Sequence, residues 1–270
     1  MSNASEAGRR LAVSKLELNG IEMGFAGATQ TVNVLGGVTL HVDEGEFVSL
    51  IGPSGSGKST LFHLIGGLYE PDAGEVRLDG QRINGRRGLV GYMPQQPALL
   101  PWRSVEANAL LAREVAGPVT VKDKALAREW LAKAGLGGFE REYPHALSGG
   151  MQQRVSFVRA MLGPHRLLCL DEPFGALDAL TRTQMQSWLL DLWETSKRAV
   201  LLVTHSIDEA LYMSDRIYVL SDKPAKVLRE IVVPFARPRR EDVLSDPAFG
   251  RLRSELYALL RKEEISHASH

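Results

Sequence analysis

Residues 52–60, GPSGSGKST, fit the pattern G-x-x-x-x-G-K-[ST], with Gly52, Gly57, Lys58 and Ser59 in the fixed positions. Glycines at this density let the backbone turn until several N–H groups converge on phosphate oxygens at the positive end of a helix. Lys58 adds a full charge toward the outer phosphates, and Ser59 offers a hydroxyl to Mg²⁺. The chemistry implied is the binding of a nucleotide polyphosphate. Two carboxylates and a histidine stand where they could act on it. Asp171 follows the apolar run 167–170, a position suited to holding Mg²⁺ through a water. Glu172, one residue on, could accept a proton from water attacking the γ-phosphate. An isolated Asp-Glu pair is otherwise a helix cap or a solvated turn, and most histidines are core or capping residues. His205 ends a second apolar run, 199–203, and that context assigns it to the γ-phosphate.

A second anion cradle lies further along. Residues 147–154, LSGGMQQR, open a helix that runs to about Leu162. Ser148 is a good N-cap, and Gly149 and Gly150 leave backbone N–H groups bare at a positive helix end. Two cradles in a chain that binds one nucleotide want an explanation.

For these groups to meet, a sheet must carry them at one edge. Residues 47–51 come directly before the glycine loop and read as a buried strand, and residues 60–65 read as the opening of a helix that stops near Gly66-Gly67. Residues 167–170 and 199–203 are further continuous apolar strands, separated by a helix over 179–196. Strands of this kind alternating with helices argue for a parallel sheet covered on both faces, with ligands at its carboxyl edge. Ile51, Leu170 and Val203 each lead into a candidate site.

Upstream, residues 1–10 read as a polar, flexible arm. Residues 11–23 and 32–42 alternate like strands of an antiparallel layer, with Phe25 in the loop between them, where periodicity alone argues only for core packing. Short strands follow at 74–80 and 89–93, the latter running into Pro94-Gln95-Gln96. From residue 104 to about 163 the pattern is helical. Residues 120–123 make a capping-box start, and Ala125, Leu126, Trp130, Leu131 and Ala134 form an apolar stripe. This reads as a helical subdomain inserted into the α/β core.

Composition sets the outer limits. At 270 residues the chain can bury a large α/β core. Lys plus Arg and Asp plus Glu number 32 each, so no general electrostatic attraction to nucleic acid is expected. The lone Cys169 rules out an internal disulfide and suits a reducing compartment. No apolar run approaches the ~18 residues of a membrane span, and the first ten residues have no apolar signal segment. The expected setting is cytoplasmic.

Taken together, GPSGSGKST (52–60), Gln95, LSGGMQQR (147–154), LLCLDEP (167–173), GALD (175–178) and TH (204–205) closely resemble the nucleotide-binding subunit of ATP-binding cassette (ABC) transporters. They match its Walker A, Q-loop, signature, Walker B, D-loop and H-loop elements in order and spacing, over about residues 14 to 260. The resemblance implies a P-loop NTPase with a RecA-like α/β core, a parallel sheet, an antiparallel β layer and an inserted helical subdomain. In that family two cassettes sandwich two ATP molecules, each between the P-loop of one and the LSGG helix of the other, which accounts for the second cradle. It implies nucleotide contacts from Gly52, Pro53, Ser54, Gly55, Ser56, Gly57, Lys58, Ser59 and Thr60, and from Ser148, Gly149, Gly150 and Asp178. Mg²⁺ would lie at Ser59, Gln95 and Asp171, and hydrolysis would rest on Glu172, His205, Lys58 and Gln95. Gln95, joining core to helical subdomain, would report nucleotide state to a membrane partner. Phe25 takes the place of the aromatic that stacks on adenine, usually Tyr there, so stacking survives while a hydroxyl is lost.

Residues 95–102, QQPALLPW, are similar to the Q-loop of importers for nitrate, sulfonates and taurine. The tail RPRR at 237–240, with Asp246-Pro247 and a final helix over 250–262, looks like the same branch; from charge alone it would be a solvated basic patch. A tail of this length is not expected to hold the extra β-rich regulatory domain of sugar or polyamine importers. The expected division is an arm at 1–10, an ATPase domain at 11–235 and a tail at 236–270. The expected partners are a second copy, membrane permease subunits at the inner face of the cell membrane and, indirectly, a solute-binding protein. A DNA-maintenance ABC ATPase would need a long coiled-coil insert, and a translation-associated one two cassettes; the sequence has neither.

Overall fold

A computed structural model of the protein describes residues 14–27 and 31–267. The arm expected at 1–10 and the start of the first expected strand, at Leu11, lie outside the described residues. The chain opens with two long strands, β1 (Ser14–Ala26) and β2 (Thr31–Asp43). β3 (Phe47–Ile51) leads through the glycine loop into α1 (Lys58–Ile65), and β4 (Ala73–Leu78), β5 (Gln81–Arg82) and β6 (Gly91–Met93) follow. Four helices come next: α2 (Val105–Ala109), α3 (Leu111–Ala116), α4 (Val121–Lys133) and α5 (Gly149–Leu162). Then β7 (Leu167–Asp171), α6 (Ala179–Ser196), β8 (Ala199–Val203), α7 (Ile207–Met213), β9 (Arg216–Leu220) and β10 (Val227–Val232) alternate, before the terminal α8 (Pro247–His267).

Two sheets result. One is antiparallel, in the order β2-β1-β4-β5, and the other runs β10-β9-β3-β8-β7-β6. In the second, all neighbours from β9 to β6 are parallel, and β10 is antiparallel to β9. Every residue of β3, β7, β8 and β9 is buried. Their faces separate with period two. Phe47, Ile51, Leu168, Leu170, Val200 and Leu202 enter one core with α5, α6 and α7. Val48, Leu50, Leu167, Cys169, Leu201 and Val203 enter the other with α1 and the antiparallel layer. Coverage on both faces is why these strands read as unbroken apolar runs. Cutting any of their buried leucines to alanine removes about 2–5 kcal/mol.

Three expectations are corrected. Phe25 does not sit in a loop: it lies inside β1, opposite Val32. Register shifts in β1, one of them around the left-handed Gly20 (φ 60), break the period-two pattern and conceal the length of the strand. In α4 the Thr120–Asp123 capping box is present, but the buried face is Ala127 and Leu131, continued by Ala134, while Ala125 and Leu126 face solvent. Trp130 is half-buried, edge-on to Trp188 of α6. The reading of RPRR from charge alone as a solvated patch fails for Arg237 and Arg239, while Arg240 stays exposed and paired with Asp191. Arg239 is buried and donates to the carbonyls of Leu211, Tyr212 and Ser214 at the end of α7 and to Phe235 O. The Arg237 guanidinium stacks 4.4 Å from the Trp193 ring and pairs with Asp215 at 2.9 Å. A guanidinium has enough donors to satisfy a helix's terminal carbonyls, so cations here fasten the tail.

Candidate active site

Parallel strands present all their carboxyl ends on one side, and the order β3-β8-β7-β6 sets four of them in a row. β3 ends in the glycine loop, β8 in Thr204-His205, β7 in Asp171-Glu172 and β6 in Pro94-Gln95. Cross-strand bonds hold the row in step: the Glu172 amide donates to Val203 O at 2.9 Å, and the Thr204 amide to Leu50 O at 3.4 Å.

The glycine loop delivers α1 with no side chain on its N-cap. Gly57 occupies that cap at φ 94, and a Cβ there would stand 2.7 Å from Val34 Cγ1, so glycine is required twice over. The first turn therefore presents free N–H groups, the anion-binding feature of a helix start. Lys58 is buried, its ammonium donating to Gly52 O at 2.9 Å, Pro53 O at 2.7 Å and Ser56 Oγ at 3.3 Å. Burial pushes its pKa below the ordinary lysine value, and the carboxylates of Glu172 and Asp171 pull the other way.

Asp171 is buried, and burial raises its pKa. The Ser59 hydroxyl opposes that rise, the Glu172 carboxylate adds to it, and His63 and Lys58 lower it. Its Oδ1 is buried without a hydrogen-bond partner among the described residues. A carboxylate oxygen left bare in the interior, beside a hydroxyl, fits a hard cation. Among the described residues no group of three or more His, Cys, Asp or Glu could hold a metal alone, so a cation here would complete its shell with other oxygens, such as the Ser59 hydroxyl, water or phosphate.

Glu172 is the junction. It adopts a left-handed φ of 48, rare for a residue with a side chain and a common form of strain at functional sites. Its carbonyl accepts from Gly175 N at 3.1 Å and Gln153 Nε2 at 3.4 Å. Its carboxylate meets His205 Nε2 at 2.5 Å through Oε1 and accepts from Gln95 Nε2 at 3.0 Å through Oε2. Behind His205, the Thr204 hydroxyl donates to the buried Glu209 of α7 and itself accepts from Ser206 N at 3.1 Å. Gln186 of α6 donates to the same glutamate at 2.8 Å.

A cleft of about 500 Å³ lies over this row, lined by Phe25, Ser54, Gly55, Gly57, Lys58, Ser59, Thr60, Gln95, Glu172 and His205, with Val34 and Lys223 in addition. Phe25 is 37% exposed and rests edge-on against Tyr69, ring centres 5.6 Å apart. Gly52 and Pro53 line an adjoining cleft of about 800 Å³ that runs from His205 to α8. Ser56 is buried under the loop. Ser148, Gly149, Gly150 and Asp178 are not among the residues lining the 500 Å³ cleft. Ser148 caps α5 by accepting from Met151 N at 3.3 Å, and Asp178 caps α6 by accepting from Thr181 N at 3.0 Å. A Cβ on Gly149 would meet nothing within 4 Å, whereas one on Gly150 would stand 3.3 Å from Ala176 O, so the helix start is open at Ser148 and Gly149. Val34, Tyr69, Gln186, Glu209 and Lys223 carry no local motif: Val34 and Lys223 are picked out by the cleft wall, Tyr69 by its contact with Phe25, and Gln186 and Glu209 by the hydrogen bonds behind His205.

Residues 35–175, which hold the glycine loop, the LSGG helix and Asp171-Glu172, match the family model described as ABC transporter. The chain belongs to the ABC transporter family. It is 42% identical over 227 residues to the aliphatic sulfonates import ATP-binding protein SsuB of Bacillus cereus, covering 83% of this chain and 88% of that protein. It is 41% identical over 246 residues to the formylaminopyrimidine import ATP-binding protein ThiZ of Halalkalibacterium halodurans, covering 90% and 96%. Among solved structures, the dimeric bacterial ABC transporter cassette MJ0796 superposes with a TM-score of 0.75 at 33% identity, over 82% of this chain and all of that one. Its post-hydrolysis dimer with ADP and Pi gives 0.74 at 32% identity. This chain is an ATP-binding and ATP-hydrolysing subunit of the importer kind. No helix among the described residues is long and apolar enough to cross a membrane.

Proposed function

We propose that this ABC ATPase hydrolyses MgATP at a site completed by a second copy, and that it energises uptake of a small sulfonate-like or nitrate-like anion. Transport would run through separate permease subunits at the inner membrane face, fed by a solute-binding protein. The observation that carries the reading is the Glu172 carboxylate, held by His205 and Gln95 at the mouth of a P-loop cleft.

Adenine stacks on Phe25, and the triphosphate follows the loop from Thr60 back to Ser54. Lys58 and the free amides of α1 neutralise it, so positioning and charge do most of the work. Ser59, Asp171 and Gln95 are the residues that would hold Mg²⁺, which supplies further neutralisation of phosphate charge when bound. Glu172 orients the attacking water and takes its proton, and His205 steadies the γ-phosphate from the neighbouring strand. Gln95 lies between β6 and the helices α2–α5, where a change at the phosphates is passed to the permease. The open start of α5 and Asp178, both outside the cleft of their own chain, suit a role at the second copy's nucleotide. The sulfonate-like class is favoured by the import relatives and by the QQPALLPW segment.

Reconstitution of this chain with permease subunits of the sulfonate or nitrate importer kind, in vesicles, tests the proposal. ATP-driven uptake of a labelled alkanesulfonate, taurine or nitrate is expected when the solute-binding protein is added. ATP turnover that no permease accelerates would sink the transport assignment.

A further inference from the structure

The loop between β9 and β10 carries SDKPAK at residues 221–226. It is not a free turn. Ala225 N donates to Val34 O at 2.9 Å, Gly36 N donates to Ala225 O at 2.9 Å, and Leu35 and Ala225 form a parallel bridge. Within the loop, Ser221 N donates to Lys226 O at 2.9 Å, and Lys226 N donates to Ser221 Oγ at 2.9 Å. Its place is thus set by the same stretch of β2 that walls the nucleotide cleft through Val34.

This anchoring brings Lys223 to the cleft. Its ammonium stands 3.9 Å from the point where a Cβ on Gly55 would lie. Gly55 is left-handed at φ 81, in the middle of the glycine loop, where the backbone is presented to the outer phosphates. Lys58 is bound from inside the loop by three of the loop's own oxygens. Lys223 is exposed, and among the described residues its ammonium has no ion-pair or hydrogen-bond partner. An unpartnered cation beside an anion-binding loop, on a backbone fixed to the cleft wall, is more than a solvated surface lysine.

Resting on the assignment of the cleft to ATP, we propose that Lys223 is a second cationic ligand for the nucleotide's outer phosphates, reaching the glycine loop from outside while Lys58 holds it from within. The ligand chemistry is an anionic polyphosphate, and a lysine suits it as a mobile point charge. Because Lys223 is exposed, its contribution is modest and screened by salt.

The test is equilibrium binding of ATP, ADP and AMP to the full chain carrying Glu172→Gln, which prevents turnover. Lys223→Ala is expected to raise Kd for ATP and ADP about three- to tenfold at low salt, shrinking toward parity near ~0.5 M salt. AMP, lacking the outer phosphates, should bind within twofold of the parent, and Lys223→Arg should retain most of the ATP affinity. Lys226→Ala removes the same charge from the same loop, from a residue that does not line the cleft, and should bind ATP within twofold. A loss under threefold for Lys223→Ala overturns the proposal. So does an equal loss for AMP, which would make Lys223 a support for the adenine wall, or an equal loss from Lys226→Ala, which would make the effect a general field. A parent that binds no ATP would instead overturn the ATP assignment beneath it.

Discussion

Glu172 and His205 meet at 2.5 Å across the carboxyl ends of adjacent strands β7 and β8, while Gln95 holds the other carboxylate oxygen at 3.0 Å. One carboxylate thus ties together three loops far apart in sequence. Glu172→Gln should bind ATP normally and slow hydrolysis by about 10²–10⁴, the usual contribution of a positioned base. His205→Ala should slow the same step, and the double variant should lose much less than the product of the two, since paired residues act as a unit. Single-turnover rates at saturating ATP give all three values. A turnover within twofold of wild type for Glu172→Gln would place the base elsewhere.

Asp171 provides a test in which stability and activity move in opposite directions. Burial raises its pKa, so the folded state holds the proton more tightly than the unfolded chain, and ionised Asp171 costs stability at neutral pH. That cost is absent below the ordinary aspartate value of about 3.9 and grows as pH rises through the raised folded value. Asp171→Asn should therefore raise the Tm of nucleotide-free protein at pH 7 by about 2–4 °C, the shift that ~1 kcal/mol produces in a domain of this size. The gain should disappear on acidification, and Mg²⁺-dependent ATPase should be lost. A lower Tm at pH 7 would show that the ionised carboxylate is stabilising.

The two anion cradles predict sharing between chains. Lys58→Ala disables one partner of each site, and Ser148→Arg places bulk at the open start of α5 and disables the other. Mixed, the two inactive proteins should recover ATPase activity, highest near equal amounts, because one site of the heterodimer carries neither change. A flat line with heterodimer demonstrated would count against a shared site that turns over alone.

Phe25→Ala should raise the KM for ATP about five- to 150-fold and spare kcat. Stacking is worth about 1–3 kcal/mol and is equal in ground and transition states. Steady-state kinetics separate the two parameters; a pure kcat defect would remove the stacking role.

Arg239→Ala should cost about 2–4 kcal/mol of stability by leaving the terminal carbonyls of α7 and Phe235 O buried without their donor. Well below the lowered Tm, KM for ATP should stay within twofold. Denaturant unfolding gives the first number, and an unchanged midpoint would mean that solvent replaces the guanidinium.

What the sequence alone determined was whatever contiguous residues decide. A phosphate-binding loop needs glycines, a lysine and a helix start in unbroken order, so GPSGSGKST declares itself, as does the Ser148-Gly149-Gly150 helix start. Buried parallel strands must be apolar on both faces, so β3, β7 and β8 were legible as runs. β9 was not, because Arg216 and Tyr218 interrupt it with polar groups that are buried through partners outside the strand, Glu46, His41 and Glu230. Nor was the length of β1, whose bulges hide Phe25 inside a strand. Only the tertiary structure decided which strands are neighbours. Chain order does not state that β3 lies between β8 and β9, nor that β8 lies beside β7, and it is the β7–β8 pairing that brings His205 onto Glu172. The bridge from the β9–β10 loop to β2 likewise sets Lys223 beside Gly55. Contacts between residues so distant in sequence leave no local periodicity, because what selects them is strand order within one sheet and the packing of the two sheets against one another.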